Sequence, residues 1–405
     1  MGIATYISMS RLRERTNQYT EPQRVKALGY YPFFRKIESE QGTIVKVNGK
    51  DVLMFGSNSY LGLTNHPKVV EAGRVAMSKY GAGCAGSRFL NGTLDIHEEL
   101  EDRLAKFLGK EAVLMYSTGF QVNLGVIPCI TTRNDFIIMD EFVHASIIEG
   151  ARLSLANKLK FRHNDMESLE KKLQRCPKDA FKLIVVDGIF SMEGDLAKLP
   201  EIVALADKYE AVVMSDCAHA VGVIGDHGAG TPSHFGLTDK VDLIGGTFSK
   251  SLASLGGFIA SDSDTINFLK HHSRSMIFSA SITPPSCAAA LAALDIIESD
   301  DSHRLKLWEN THYAQKSLSE LGFDTGASES PIIPIYVRDY MKTFQLTTSL
   351  LEKGVFVNPI ISPAVAPEDT LIRFSLMATH SKEQIDEAID KIYAEYKRLE
   401  IPLKS

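Results

Sequence analysis

The chain has no apolar run near the ~20 residues that span a bilayer; its best candidate, "CAAALAALDII", is too short and ends in acids. Cysteine is scarce, odd in number and scattered: Cys84, Cys129, Cys176, Cys217 and Cys287 form no CxxC pair. That argues against a disulfide framework and against a zinc site, so no metal is expected and a reducing cytoplasm is the natural setting. Basic excess is also missing. Lys and Arg number 44 against 50 Asp and Glu, a formal charge of −6, where a nucleic-acid surface would need a basic patch. The opening "MGIATYISMSRLRER" runs into charge, with no apolar stretch and cleavage site. Tyr6 stands where a myristoylation signal needs Ser or Thr. No internal repeat and no low-complexity segment is present. What remains is the composition of a soluble globular chain, 44% hydrophobic and 23% charged, long enough for two or three domains.

Familiar motifs fail on inspection. "GAGCAG", Gly81 to Gly86, has the GxGxxG spacing, but a helix-like stretch precedes it and a loop-like "SRFLNGT" follows. A dinucleotide fingerprint needs a strand before and a helix after. "GTFSKS" carries Ser249 where a nucleotide P-loop needs glycine before its lysine. No GxSxG elbow supports a serine hydrolase. His219 lacks partners at zinc-like spacing, and His163 and the pair His271-His272 read as surface histidines.

The order of elements is more informative. "AVLMYS", "DFIIMD", "KLIVVDGIF", "EAVVMSD" and "VDLIGGTF" read as buried strands. Helix-like "HASIIEGARLSLA", "MESLEKKLQRC" and "LPEIVALADKYE" separate them. The alternation predicts an α/β fold with a largely parallel sheet, whose ligands bind beyond the carboxyl ends of the strands. Three regions are expected: an arm with a hairpin around Asn48-Gly49 over 1–60, a large domain over 61–295, and a smaller α+β domain over 296–405. The last contains "PIIPIYV", "VFVNPI" and "LIRFSL" as strands, then a helix opened by Ser381 as N-cap.

Two residues at strand ends carry the chemistry. A lysine after a strand is most often a solvated charge, and an Asp there often caps a turn. Asp216 and Lys250 nevertheless lie one strand–helix–strand unit apart, both after apolar strands. A Lys to hold an aldehyde and an Asp for a pyridine nitrogen are the protein's signature for pyridoxal phosphate. Gly119 and Phe120, at a strand-to-helix turn, can offer backbone N–H groups to its phosphate.

With "SNSYLGL", "GSRFLNGT", "STGFQVN", "HASI", "FSMEGD", "DCAH", "GTFSKS" and "IRFSLMATH" in this order, the sequence from Tyr30 onward resembles the α-oxoamine synthases. These are fold-type-I pyridoxal-phosphate enzymes, aspartate aminotransferase-like, that join an amino acid to an acyl-CoA with loss of carbon dioxide. Ser249 and Glu193 place it with the branch that uses L-serine and a long-chain acyl-CoA. Relatives using glycine or alanine are the alternative, and a non-catalytic partner subunit is a remote one. The resemblance implies Lys250 as covalent anchor and base, Asp216 on the pyridine nitrogen, His144 stacked on the ring and positioning the substrate carboxylate, and His219 on the phenolic oxygen. Ser191 would line the cofactor pocket, with Thr247, Ser249 and the Gly119-Phe120 backbone at the phosphate. Ser279 would reach a neighbouring subunit's phosphate, which implies a homodimer with shared active sites. Arg373 would grip the substrate carboxylate as a bidentate pair, assisted by Asn58. The chain departs from the family at Cys217, expected to point away from the ring, and in "NPIISPAV", which lacks an extra arginine found in some members. The charged 11–26 stretch reads as a solvated arm, with peripheral contact at the inner membrane as the alternative.

Overall fold

The apolar runs become strands because β-branched residues fill them and both faces of the resulting sheet are covered. In the computed structural model, residues 10–404 are described; Met1, Gly2 and Tyr6, and the targeting signals considered there, lie outside them. The strands are β1 (Ile44–Val47), β2 (Lys50–Met54), β3 (Ala112–Tyr116), β4 (Phe136–Asp140), β5 (Asn157–Phe161), β6 (Lys182–Asp187) and β7 (Val212–Asp216). They continue with β8 (Leu243–Thr247), β9 (Gly257–Ser261), β10 (Ile332–Tyr336), β11 (Val355–Phe356), β12 (Asn358–Ile360) and β13 (Leu371–Ser375).

Seven strands form the central sheet in the order β3-β9-β8-β7-β6-β4-β5. β9 is antiparallel to both neighbours, and the other pairings are parallel. Period-2 alternation divides the core between the two faces: Val113, Met115, Ile184 and Val186 join one apolar cluster, while Leu114, Tyr116, Leu183 and Val185 join the other. This is the fold-type-I architecture, mostly parallel as expected. Two strands escaped the sequence reading. β5, "NKLKF", is a polar edge strand, the kind that resists unwanted pairing and shows little apolar signal. β9, "GFIAS", directly follows a glycine-rich loop that masks it.

β10, β13 and β12 form an antiparallel sheet, and the helix Lys382–Arg398 packs Ile385, Ile389 and Ile392 into the same core. Ser381 caps that helix and Gln384 returns the bond to its backbone, a full capping box. The expected hairpin forms, with Asn48 and Gly49 at φ 51° and 74° in the turn between β1 and β2. Among the described residues, no helix is long and apolar enough to cross a membrane.

Candidate active site

β6, β7 and β8 end side by side on Asp187, Asp216 and Thr247, at the edge where parallel sheets bind ligands. A cavity of about 290 Å³ opens there, lined by Gly119, Phe120, His144, Asp216, His219, Thr247, Ser249 and Lys250 among others. A second cavity of about 550 Å³ adjoins it, shares His144, His219 and Lys250, and adds Asn58, Ser191 and Arg373. Eight expected cofactor residues thus meet in one chamber; Ser191 lines only the second. Ser279 lines neither, and its hydroxyl accepts a bond from Gln121 Nε2 at 3.1 Å.

Asp216 is held from two sides: Asn123 Nδ2 donates to one oxygen at 2.8 Å and the Ala218 N–H to the other at 3.0 Å. The same Asn123 nitrogen donates to Ser146 Oγ at 2.8 Å. Ser146 in turn donates its N–H to His144 Nδ1 at 3.2 Å, and its hydroxyl lies 2.7 Å from that nitrogen. Nδ1 is therefore an acceptor, and the neutral ring carries its proton on Nε2. Burial, and then the positive charge of Lys250, lower the His144 pKa against the opposing pull of Asp216, so the ring is neutral.

A parallel construction fixes His219. Tyr60 Oη accepts from Arg373 Nη2 at 3.0 Å, and its own hydrogen has two acceptors in reach, Asn58 Oδ1 at 3.4 Å and His219 Nδ1 at 2.6 Å; the shorter distance turns it to His219. His219 consequently presents Nε2–H to the cavity. Burial, then the charges of Lys250 and Arg373, push its pKa well below the ordinary value. Burial also brings the Lys250 ammonium down to about 8, with Asp216 and Asp187 pulling upward and Arg373 downward. Asp187, beside Asp216 in the β6–β7 ladder, is raised well above the carboxylate range by burial and by its neighbour's charge. It accepts the His144 N–H at 3.3 Å.

At the far wall, the helix Gly119–Ile130 points its first turn into the cavity, capped by Thr118. The N–H groups of Gly119 and Phe120 have no acceptor within the helix and suit an anion. A Cβ on Gly119 would stand 2.8 Å from Thr247 Cβ, so only glycine permits this approach. Thr247 Oγ1 donates to the Gly256 carbonyl at 3.0 Å and so accepts from Ser249 Oγ at 2.9 Å, a bond the Ser249 hydroxyl can exchange for a phosphate oxygen. An anion cradle, a fixed carboxylate and a buried amine of lowered pKa in one chamber fit pyridoxal phosphate. Cys217 lies outside both cavities, its Sγ 3.5 Å from Ser215 Oγ.

Arg373 departs from the expectation. Nε donates to the Ser191 carbonyl at 2.8 Å, Nη1 to Asn58 Oδ1 at 2.9 Å and Ser375 Oγ at 2.7 Å, and Nη2 to Tyr60. One N–H is left, so a bidentate grip is not available from this residue as placed. His163 departs too. It is not a surface residue: its ring bridges Asp140 at 3.0 Å and Asp195 at 2.9 Å, stacked on Phe142. It thereby clamps the 188–196 loop that carries Ser191 to the end of β4. Tyr60, Asn123 and Asp187 had no assigned role. The first two lie inside "SNSYLGL" and "STGFQVN", but only the fold aims their side chains.

The model of the class I and II aminotransferases matches residues 50–392, and the chain belongs to that family. It is 59% identical to a serine palmitoyltransferase of Sphingobacterium spiritivorum, over 98% of this chain and 99% of the relative. A serine palmitoyltransferase of Bacteroides thetaiotaomicron is 58% identical, over 97% and 100%. A solved serine palmitoyltransferase with pyridoxal phosphate as internal aldimine superposes with a TM-score of 0.94 at 33% identity, covering 97% of this chain and all of that one.

Proposed function

We propose that the chain is a pyridoxal-phosphate-dependent acyltransferase, a serine palmitoyltransferase. It condenses L-serine with palmitoyl-CoA to give 3-ketosphinganine, CoA and carbon dioxide, the entry to sphingolipid synthesis. The carrying observation is Lys250, half-buried and shared by a chamber with a fixed carboxylate and a helix N-terminus and by a cationic second cavity. Lys250 would hold the cofactor covalently, Asp216 would pair with its pyridine nitrogen, and Ser249 with the Gly119 and Phe120 N–H groups would hold its phosphate. The bound cofactor supplies an electron sink for the substrate's α-carbon.

The side chains do the rest. Arg373 and Asn58 orient the serine carboxylate in the second cavity. Once serine occupies the site, the Lys250 amine takes the α-proton in its free-base form, whose fraction grows as pH rises through about 8. The α-carbon then bonds to the thioester carbonyl carbon, the C–S bond breaks, and CoA leaves as its thiolate, which takes a proton from solvent. His144 Nε2–H faces the oxygen that gains charge in that step. The bond to the carboxylate next breaks, carbon dioxide departs, and Lys250 returns the proton to the α-carbon. His219 Nε2–H serves the cofactor's phenolic oxygen.

Phe120 and Leu255, 44% and 56% exposed at the cavity, and Phe278, 75% exposed, support a homodimer that covers this rim and in which Ser279 reaches the partner's site. Light scattering checks it. The chain works in the cytoplasm, and peripheral contact with the inner membrane would bring it to its acyl substrate; sedimentation with vesicles of anionic lipid checks that contact. The deciding experiment follows CoA release for L-serine, glycine and L-alanine against acyl-CoAs of several lengths. L-serine with palmitoyl-CoA gives the highest kcat/KM; preference for glycine or alanine overturns the reading.

A further inference from the structure

Arg373 alone under-serves a carboxylate. Two oxygens are best held by two parallel N–H groups, yet four of its five donors already have acceptors inside the protein. The second cavity contains another guanidinium. Arg35, in the segment before β1, lines it together with Lys250 and Arg373. Its Nη2 donates to the Val357 carbonyl at 2.8 Å and to Asn358 Oδ1 at 3.1 Å, and its central carbon lies 3.5 Å from the Phe356 ring centroid. Its Nη1 is buried with no acceptor among the described residues. A desolvated, unpaired donor on a cation is costly, so this group calls for a partner. Burial draws the Arg35 pKa down to about 10, the direction an arriving anion would reverse.

The two arginines are neighbours by construction. Asn358, which fixes Arg35, stands directly opposite Arg373 in the β12–β13 ladder, so both project from one face of that sheet. Each guanidinium leans on an asparagine, Arg35 on Asn358 and Arg373 on Asn58. Three of the residues lining the cavity are cationic and none is Asp or Glu. Its occupant is therefore an anion, and one seated within reach of Lys250. The amino-acid carboxylate meets both conditions. The phosphates of an acyl-CoA sit far along the pantetheine arm from the reacting carbonyl.

We infer that Arg35 is a second carboxylate-binding residue, completing with the one free N–H of Arg373 the grip on the amino-acid substrate. The inference rests on the proposed use of an amino acid. As the Arg35 guanidinium turns toward the cavity it lines, the substrate carboxylate becomes the acceptor that Nη1 lacks, and the interaction is absent for an amine without that group.

The test is an absorbance titration of the holoenzyme with L-serine and with ethanolamine, which has the amine and hydroxyl but no carboxylate. Arg35→Gln weakens L-serine binding about 10-fold or more, the loss expected for a hydrogen bond to a charged group, and leaves ethanolamine within about twofold. Arg35→Lys falls between. Unchanged L-serine binding, or equal weakening of both amines, overturns the assignment. Should Arg35→Gln fail to fold, Arg35→Lys decides by the same criterion. Wild-type protein that binds ethanolamine but not L-serine overturns the functional reading instead, so the two failures are told apart.

Discussion

Tyr60 Oη stands 2.6 Å from Nδ1 of His219 and receives an Arg373 N–H at 3.0 Å. One phenol thus sets the tautomer of the histidine and uses up a donor of the arginine. Tyr60→Phe removes both effects. The expected outcome is a roughly 10-fold lower kcat, from one lost buried hydrogen bond of a catalytic histidine, with the cofactor still bound. Steady-state CoA release alongside the cofactor's absorbance checks it; an unchanged kcat contradicts the tautomer argument.

Asn123 ties Asp216 to the Ser146–His144 pair through a single nitrogen. In Asn123→Ala, Asp216 loses one of its two fixed donors and Ser146 loses its orientation. Exchange of the serine α-proton should slow by about 10- to 100-fold, the range for a hydrogen bond to a charged group. Deuterium incorporation from heavy water, followed by NMR, measures this directly. Exchange at the wild-type rate would show that Asp216 needs no such support.

The lowered pKa of Lys250 has a visible pH signature in protein stripped of cofactor. Below about 8 the amine is protonated and cannot attack an aldehyde; above it, the amine is free. The rate of reconstitution with pyridoxal phosphate should rise through pH 8 and level off well before 10.5. Asp216 pulls this pKa upward, so Asp216→Asn should move the rise to lower pH. Stopped-flow absorbance reads both, and a rise centred near 10.5 would refute the buried amine.

Burial lowers the pKa of His163, but its hydrogen bonds and charge pairing with Asp140 and Asp195 outweigh that and lift it to about 10. A folded-state pKa above the unfolded one stabilises the protein fully below about 6.5, and the benefit fades as pH rises through 10. The Tm deficit of His163→Gln should therefore be largest at pH 6 and shrink by pH 10. A deficit that does not vary with pH would assign His163 a packing role only.

Legibility followed chemistry that is local in the chain. Val- and Ile-rich runs announce most of the central strands, and Asp216 and Lys250, each ambiguous alone, stand out together as a carboxylate and an amine at the ends of apolar strands one strand–helix–strand unit apart. Residues whose role depends on what the fold places opposite them gave no such signal. Asn123 sits in a mostly apolar helix, "GFQVNLGVIPCI", where sequence cannot distinguish a tolerated polar residue from the one that holds Asp216. His163 looked solvated because its partners, Asp140 and Asp195, come from separate elements. Arg373 stands in the sequence only as a carboxylate-binding arginine implied by the resemblance, and the number of donors it has left is learned only from its neighbours.

The reversed strand β9 bears on how freely this chain can be altered. Because β9 runs back along β8, with Thr247 paired to Gly257, Lys250 rides a closed loop and not a crossover. That loop is stitched internally by Phe248 N–H to the Gly256 carbonyl at 2.9 Å and Ala253 N–H to the Lys250 carbonyl at 3.0 Å. An extra residue in a crossover connection can bulge into solvent. An extra residue here must either displace the lysine or slip the ladder by one, which would turn the β9 side chains to the opposite face. Length changes for engineering therefore belong elsewhere in the molecule, while the 248–256 loop accepts only like-for-like exchange of side chains.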